Sequence, residues 1–156
     1  MSEVYESKAA IVRLTYKIEA PLERVWKVIT EEAGSWWDAD FAALAGSSGV
    51  KLEPILGGRL YEELPDGQGL EWGRVIAINP PTSIDFQGMM TPSFGGPTLN
   101  TVQLSLAPTE SGTEMTMTEG LIGRVTDEGL AQMQQGWDFL FGQKLKNYAE
   151  STAAPV

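Results

Sequence analysis

The chain reads as an α+β domain, with about seven strands in a curved, largely antiparallel sheet, two short helices after the first strand and one long C-terminal helix. Three observations predict it. Apolar residues alternate with polar ones in several short segments. Clusters of Gly, Pro, Asn and Asp separate consecutive segments, as hairpin turns require. A stretch near the end carries one apolar face at helical spacing. The 156 residues leave room for a single domain, expected over residues 9–150, with residues 1–8 and 151–156 as loose ends.

The first strand is marked by Val12, Leu14, Tyr16 and Ile18 on one face and Arg13, Thr15, Lys17 and Glu19 on the other. Pro21 suits a first helical position, and Leu22, Val25, Trp26 and Ile29 follow at helical spacing. A second short helix is expected within Glu31 to Trp37. Strands then follow at Val50 to Pro54, Gly58 to Leu64, Leu70 to Asn79 and Ser83 to Gln87, punctuated by Gly57-Gly58, PDGQG and NPPT. A longer break from Gly88 to Thr98 precedes two more alternating strands, Leu99 to Ala107 and Thr113 to Leu121. Thr126 can cap the last helix, with Asp127 and Glu128 in its first turn. Leu130, Met133, Trp137, Leu140, Phe141, Leu145 and Tyr148 cover one face of that helix, the cover the sheet needs.

Composition narrows the chemistry. The chain has no Cys and no His, which removes disulfides, thiolate nucleophiles, Ser-His-Asp triads, cysteine zinc sites and His-ligated metals. Acid–base work falls to Asp, Glu, Lys, Tyr or water. Eleven basic and 21 acidic residues give a net charge of −10, which repels phosphate backbones and anionic lipid. Neither nucleic acid nor a membrane surface is an expected partner. The opening MSEVYESKAA lacks the apolar core of a signal peptide, and no run approaches the ~20 apolar residues of a membrane span, so a cytoplasmic location is expected. The glycine pairs precede no helix, and the acidic pairs lack calcium-loop spacing. No cofactor and no metal are expected.

The segments APLERVWKVIT, GGRLYEELPDGQGLEWGRVIAINPPTSIDF, SGTEMTMTEG and GWDFLFGQKLKNYAE together resemble the SRPBCC (START/Bet v 1-like) superfamily. Within it they are most similar to the branch related to the activator of heat-shock-protein ATPase, which is polyketide cyclase-like. The resemblance runs from about Ile11 to about Glu150. It implies a helix-grip fold, in which the sheet wraps the C-terminal helix and leaves a cavity between them. Members bind lipids, sterols, polyketides or plant hormones, or act as cyclases, dehydratases or co-chaperones, so fold leaves function open. Family members often carry Trp where Gly88 stands; its loss implies a larger cavity, or room for Met89, Met90 or Phe94 to fold in.

Strand alternation selects the inward residues: Leu60, Glu62 and Leu64; Trp72, Arg74, Ile76 and Ile78; Ile84 and Phe86; Val102, Leu104 and Leu106; Met115, Met117 and Glu119. Pairing Leu64 with Leu70 sets Glu62 opposite Trp72 and diagonal to Arg74, as a ligand-anchoring ion pair or a solvated one. Glu119 is the best catalytic candidate, because desolvation raises a carboxyl pKa toward general acid–base use; the alternative is a structural carboxylate bonded to Tyr16, Lys144 or water. Glu62 and Arg74 are weaker candidates. Lys144 is either an interior amine or a stem lying over apolar surface with its ammonium in water. Phe139 points away from the apolar face and marks a candidate homodimer contact. The expected ligand-binding set is Tyr16, Trp37, Trp72, Arg74, Ile76, Phe86, Met89, Phe94, Val102, Leu104, Met117, Glu119, Met133, Trp137 and Phe141. These residues favour a binder of an apolar or amphipathic small molecule. The alternatives are a cyclase, dehydratase or hydrolase using a buried carboxylate, and a co-chaperone-like protein partner.

Overall fold

A computed structural model describes residues 1–153 of the chain. Seven strands are present: β1 (Lys8–Ile18), β2 (Val50–Leu52), β3 (Arg59–Glu63), β4 (Gly69–Asn79), β5 (Ser83–Met90), β6 (Thr98–Thr109) and β7 (Gly112–Gly123). They form one antiparallel sheet in the order β1-β7-β6-β5-β4-β3-β2. Successive strands from β2 to β7 are therefore neighbours, and β1 closes on β7 with an eleven-residue register from Lys8↔Gly123 to Ile18↔Thr113. The helices α1 (Leu22–Glu31) and α2 (Ala33–Trp36) follow β1. Near the C-terminus α3 (Asp127–Phe139) passes through a π-helical segment, Leu140–Leu145, into α4 (Lys146–Thr152). Helical backbone angles at Leu140 and Lys146 make these three pieces one rod, which reaches two residues into the tail expected at 151–156. The rest of that tail, 154–156, lies outside the described residues. Among the described residues no helix is long and apolar enough to cross a membrane.

The expected elements are present with shifted edges. β5 continues through Met90, so the expected break at Gly88 to Thr98 narrows to the residues between Met90 and Thr98. The β3–β4 hairpin is tighter than the predicted Leu64–Leu70 pairing: Glu62 stands opposite Leu70, and Leu64 N–H donates to the Gln68 carbonyl. Asp66 and Gly67, at φ 66° and 75°, supply the left-handed backbone of that short turn.

The core lies where α1 and the C-terminal half of the long helix meet the sheet. Val25, Val28 and Ile29 of α1 and Leu140, Leu145 and Ala149 of the rod pack against Ile84, Leu104, Leu106, Met115 and Met117. Trp36 turns its indole N–H back onto the Val28 carbonyl at 2.9 Å, which fixes α2 against α1. The N-terminal half of the rod differs. No residue of α3 is buried, although Leu130, Met133 and Trp137 share its apolar stripe. This half stands off the sheet instead of covering it.

Two irregularities in β4 overturn part of the predicted inward set. The strand carries one extra residue against β3, at Trp72, and one against β5, at Ile76. Each extra residue reverses the alternation beyond it. The inward residues become Trp72, Val75 and Ile78, with Val75 buried, Arg74 exposed and Ile76 47% exposed. Met89 also faces outward, because β5 keeps strict alternation through Ile84, Phe86, Gly88 and Met90.

Candidate functional site

Beneath the raised half of the rod lies a cavity of about 860 Å³. The sheet contributes Leu60, Trp72, Phe86, Val102, Leu104 and Glu119 to it, and α3 contributes Leu130, Met133, Gly136 and Trp137. Phe41 closes one side from the loop between α2 and β2, and Phe94 another from the β5–β6 loop. Arg124, Thr126, Glu128 and Gln132 add polar groups near the start of α3.

Aromatic rings join into a continuous wall. Trp137 stacks on Phe141 with centroids 5.0 Å apart and planes 4° from parallel. Phe41 lies 5.8 Å from Trp137, 6.4 Å from Trp72 and 5.9 Å from Trp37, and Trp37 lies 5.7 Å from both Trp36 and Trp72. Gly136 permits this: a Cβ there would stand 2.9 Å from the Phe41 ring. The wall uses its edges for internal bonding. Trp36, Trp72 and Trp137 donate their indole N–H groups to Val28 O, Glu62 and Glu119, while Trp37 Nε1 is buried without a partner among the described residues.

The two inward carboxylates have separate jobs. Glu62, 1% exposed, accepts from Trp72 Nε1 at 2.6 Å and from the backbone N–H groups of Ala43 and Leu44 at 2.9 and 3.2 Å. It ties the Phe41 loop to the sheet. The predicted Glu62–Arg74 pair is absent, since the irregularity at Trp72 turns Arg74 outward, where it pairs with Glu71 at 2.9 Å. Glu119, 2% exposed, accepts from Trp137 Nε1 at 2.7 Å and Asn100 Nδ2 at 3.1 Å. Burial pushes its carboxyl above the usual range, against the opposing pull of those two hydrogen bonds. Among the described residues no cation pairs with it: Lys144 instead pairs with Asp38 at 2.9 Å, and Tyr16 donates to Asp138 at 2.8 Å. The Lys144 ammonium also lies 5.2 Å from the Phe139 ring centroid. Both partners that the sequence suggested for Glu119 are thus engaged elsewhere.

The structure brings ten of the predicted ligand-facing residues to the cavity: Trp37, Trp72, Phe86, Phe94, Val102, Leu104, Glu119, Met133, Trp137 and Phe141. Five lie apart from it. Arg74, Ile76 and Met89 face outward; Met117 is wholly buried in the core; Tyr16 packs on the helix at Gly142, below the cavity. Sequence reasoning missed Phe41 and Asn100. Phe41 sits in a loop with no periodicity to reveal it. Asn100 occupies the inward phase of Val102 and Leu104, so alternation alone could have found it. A Cβ on Gly88 would stand 2.6 Å from Asn100 Oδ1, so the room left by Gly88 is taken partly by this carboxamide. Among the described residues no group of acidic side chains is arranged to hold a metal ion.

Comparison with known structures places the same architecture elsewhere. A protein from Mesorhizobium loti superposes with a TM-score of 0.68 at 20% identity, covering 93% of this chain and 100% of that one. A Rhizobium leguminosarum protein gives 0.70 at 19%, covering 94% and 97%. An AHSA1-like protein from Aeromonas hydrophila gives 0.62 at 21%, covering 91% and 93%. No curated protein matches the chain in sequence. The family model described as activator of Hsp90 ATPase homolog 1-like protein matches residues 19–150, and the chain belongs to that family.

Proposed function

We propose that the protein binds an apolar or amphipathic small molecule in the cavity between α3 and the sheet. The observation that carries this reading is the raised half of the long helix. Leu130, Met133 and Trp137 of its stripe all stay short of full burial and line about 860 Å³ of space, with Trp137 reaching the sheet through its hydrogen bond to Glu119. These side chains are only partly buried, so a guest that covers their remaining apolar surface gains roughly 25 cal/mol per Å² removed from water. Membership of a family that commonly binds hydrophobic ligands supports it.

Titration with the uncharged dye Nile red tests the reading. Binding should raise dye fluorescence at one site per chain and raise the melting temperature, because a ligand of the native state stabilises it by mass action. The cavity-filling variant Val102→Trp should lose both responses while keeping its circular dichroism spectrum. Absence of saturable binding to the unaltered protein contradicts the proposal.

A second reading, acid–base catalysis, is favoured by one observation: Glu119 is buried in the lining of an apolar cavity, where desolvation favours the protonated carboxyl. Turnover whose pH profile loses a limb in Glu119→Gln would establish it, and a profile unchanged by that substitution would remove it.

A further inference from the structure

Resting on the binding reading above, we infer that the cavity prefers an amphipathic organic cation, a hydrophobic amine or ammonium compound, over uncharged and anionic ligands of the same shape. Three features converge on this. The first is Glu119, whose carboxylate has, among the described residues, only neutral donors, Trp137 and Asn100, as partners. When ionised it is a charge without a counterion in a low-dielectric site, and a ligand cation within a few ångströms supplies one. Direct contact is not required, because attraction in such surroundings extends beyond hydrogen-bond distance.

The second feature is the wall. Phe41, Trp72 and Trp137 have their rings in the cavity lining, and the Trp72 and Trp137 N–H groups are already bonded to Glu62 and Glu119. One face of Trp137 is stacked on Phe141 and Phe41 is stacked on Trp72, and the remaining aromatic surface of this lining is of the kind that attracts cations. The third is the balance of charge. Arg124 is the one cationic residue among the described lining residues; it is exposed and lies 5.1 Å from the Tyr5 ring, at the N-terminal side of α3. Against it stand Glu119 and Glu128 in the lining and a net charge of −10 over the chain. A carboxylate guest would enter against that field and lie near Glu119 with no interior cation to hold it.

A matched series on the intact protein tests the inference: 2-naphthylmethylamine, 2-naphthylmethanol and 2-naphthylacetate, titrated by calorimetry at pH 8. The amine should bind at least about tenfold tighter than the alcohol, and the acetate weakest, a tenfold ratio being about 1.4 kcal/mol. The preference should survive 0.5 M NaCl, which screens the surface field but not a buried charge. In Glu119→Gln, checked by its melting curve, the amine-to-alcohol ratio should fall to within about twofold. Equal or tighter binding of the alcohol or acetate, loss of the preference in salt, or its survival in Glu119→Gln overturns the inference while leaving the binding reading intact. Failure of all three compounds, together with Nile red, overturns both.

Discussion

Trp137 donates its indole N–H to the Glu119 carboxylate at 2.7 Å, so the helix that roofs the cavity is fastened to the sheet by a hydrogen bond to a buried acid. Because burial raises the Glu119 pKa, the folded state holds its proton to higher pH than the unfolded chain does. The folded protein then binds more protons above the usual carboxyl range, and stability attributable to this group declines as pH rises through the raised pKa. Glu119→Gln removes that decline. Its melting temperature should exceed that of the unaltered protein at pH 8, with the gap closing toward pH 4.5; a gap independent of pH contradicts this assignment.

Trp137→Phe keeps an aromatic ring beside Phe141 and deletes the donor. Urea denaturation at pH 8 should show a loss of about 1–3 kcal/mol, the cost of leaving a buried acceptor short of a partner. The loss should be smaller at pH 5 than at pH 8, because lowering the pH favours the protonated form of Glu119, which needs less from its donors. An equal loss at both values would assign the effect to packing alone.

Glu62→Ala withdraws the acceptor shared by Trp72 and the Ala43 and Leu44 amides. A loss of about 2–4 kcal/mol is expected from three orphaned donors, some of which regain water as the loop opens. Limited proteolysis should cut between Asp38 and Gly49 faster than in the unaltered protein. Unchanged cleavage there would show that Glu62 does not hold the loop.

Gly88→Ala places a methyl group 2.6 Å from both Asn100 Oδ1 and the Trp72 carbonyl. The carboxamide can turn away, but the β4 backbone cannot. A destabilisation of about 1–3 kcal/mol is expected, together with loss of the Asn100–Glu119 hydrogen bond and a further rise in the Glu119 pKa. Stability equal to that of the unaltered protein would mean that β4 and β5 separate freely at this point.

Strand alternation makes most of the cavity legible in the sequence. Val102, Leu104 and Glu119 lie on regular strands, and helical spacing set Met133, Trp137 and Phe141 on one face. The failures have local causes. Arg74 and Ile76 were misplaced because β4 carries two extra residues, and no composition signal marks them. The long helix was expected to cover the sheet along its whole apolar stripe, yet only its second half does. Periodicity reports which face of a helix is apolar, not how far it stands from its partner. Phe41 acts from a loop, fixed by Glu62 through backbone amides that carry no sequence identity.

The five indole N–H resonances give the most direct test of the central claim, that the space under α3 is where a guest resides. Trp36, Trp37, Trp72 and Trp137 line the cavity and Trp26 does not. On addition of Nile red or 2-naphthylmethylamine to ¹⁵N-labelled protein, the Trp37 and Trp137 signals should shift and the Trp26 signal should stay in place. Binding that moves Trp26 alone, or leaves all five unmoved, would contradict the account.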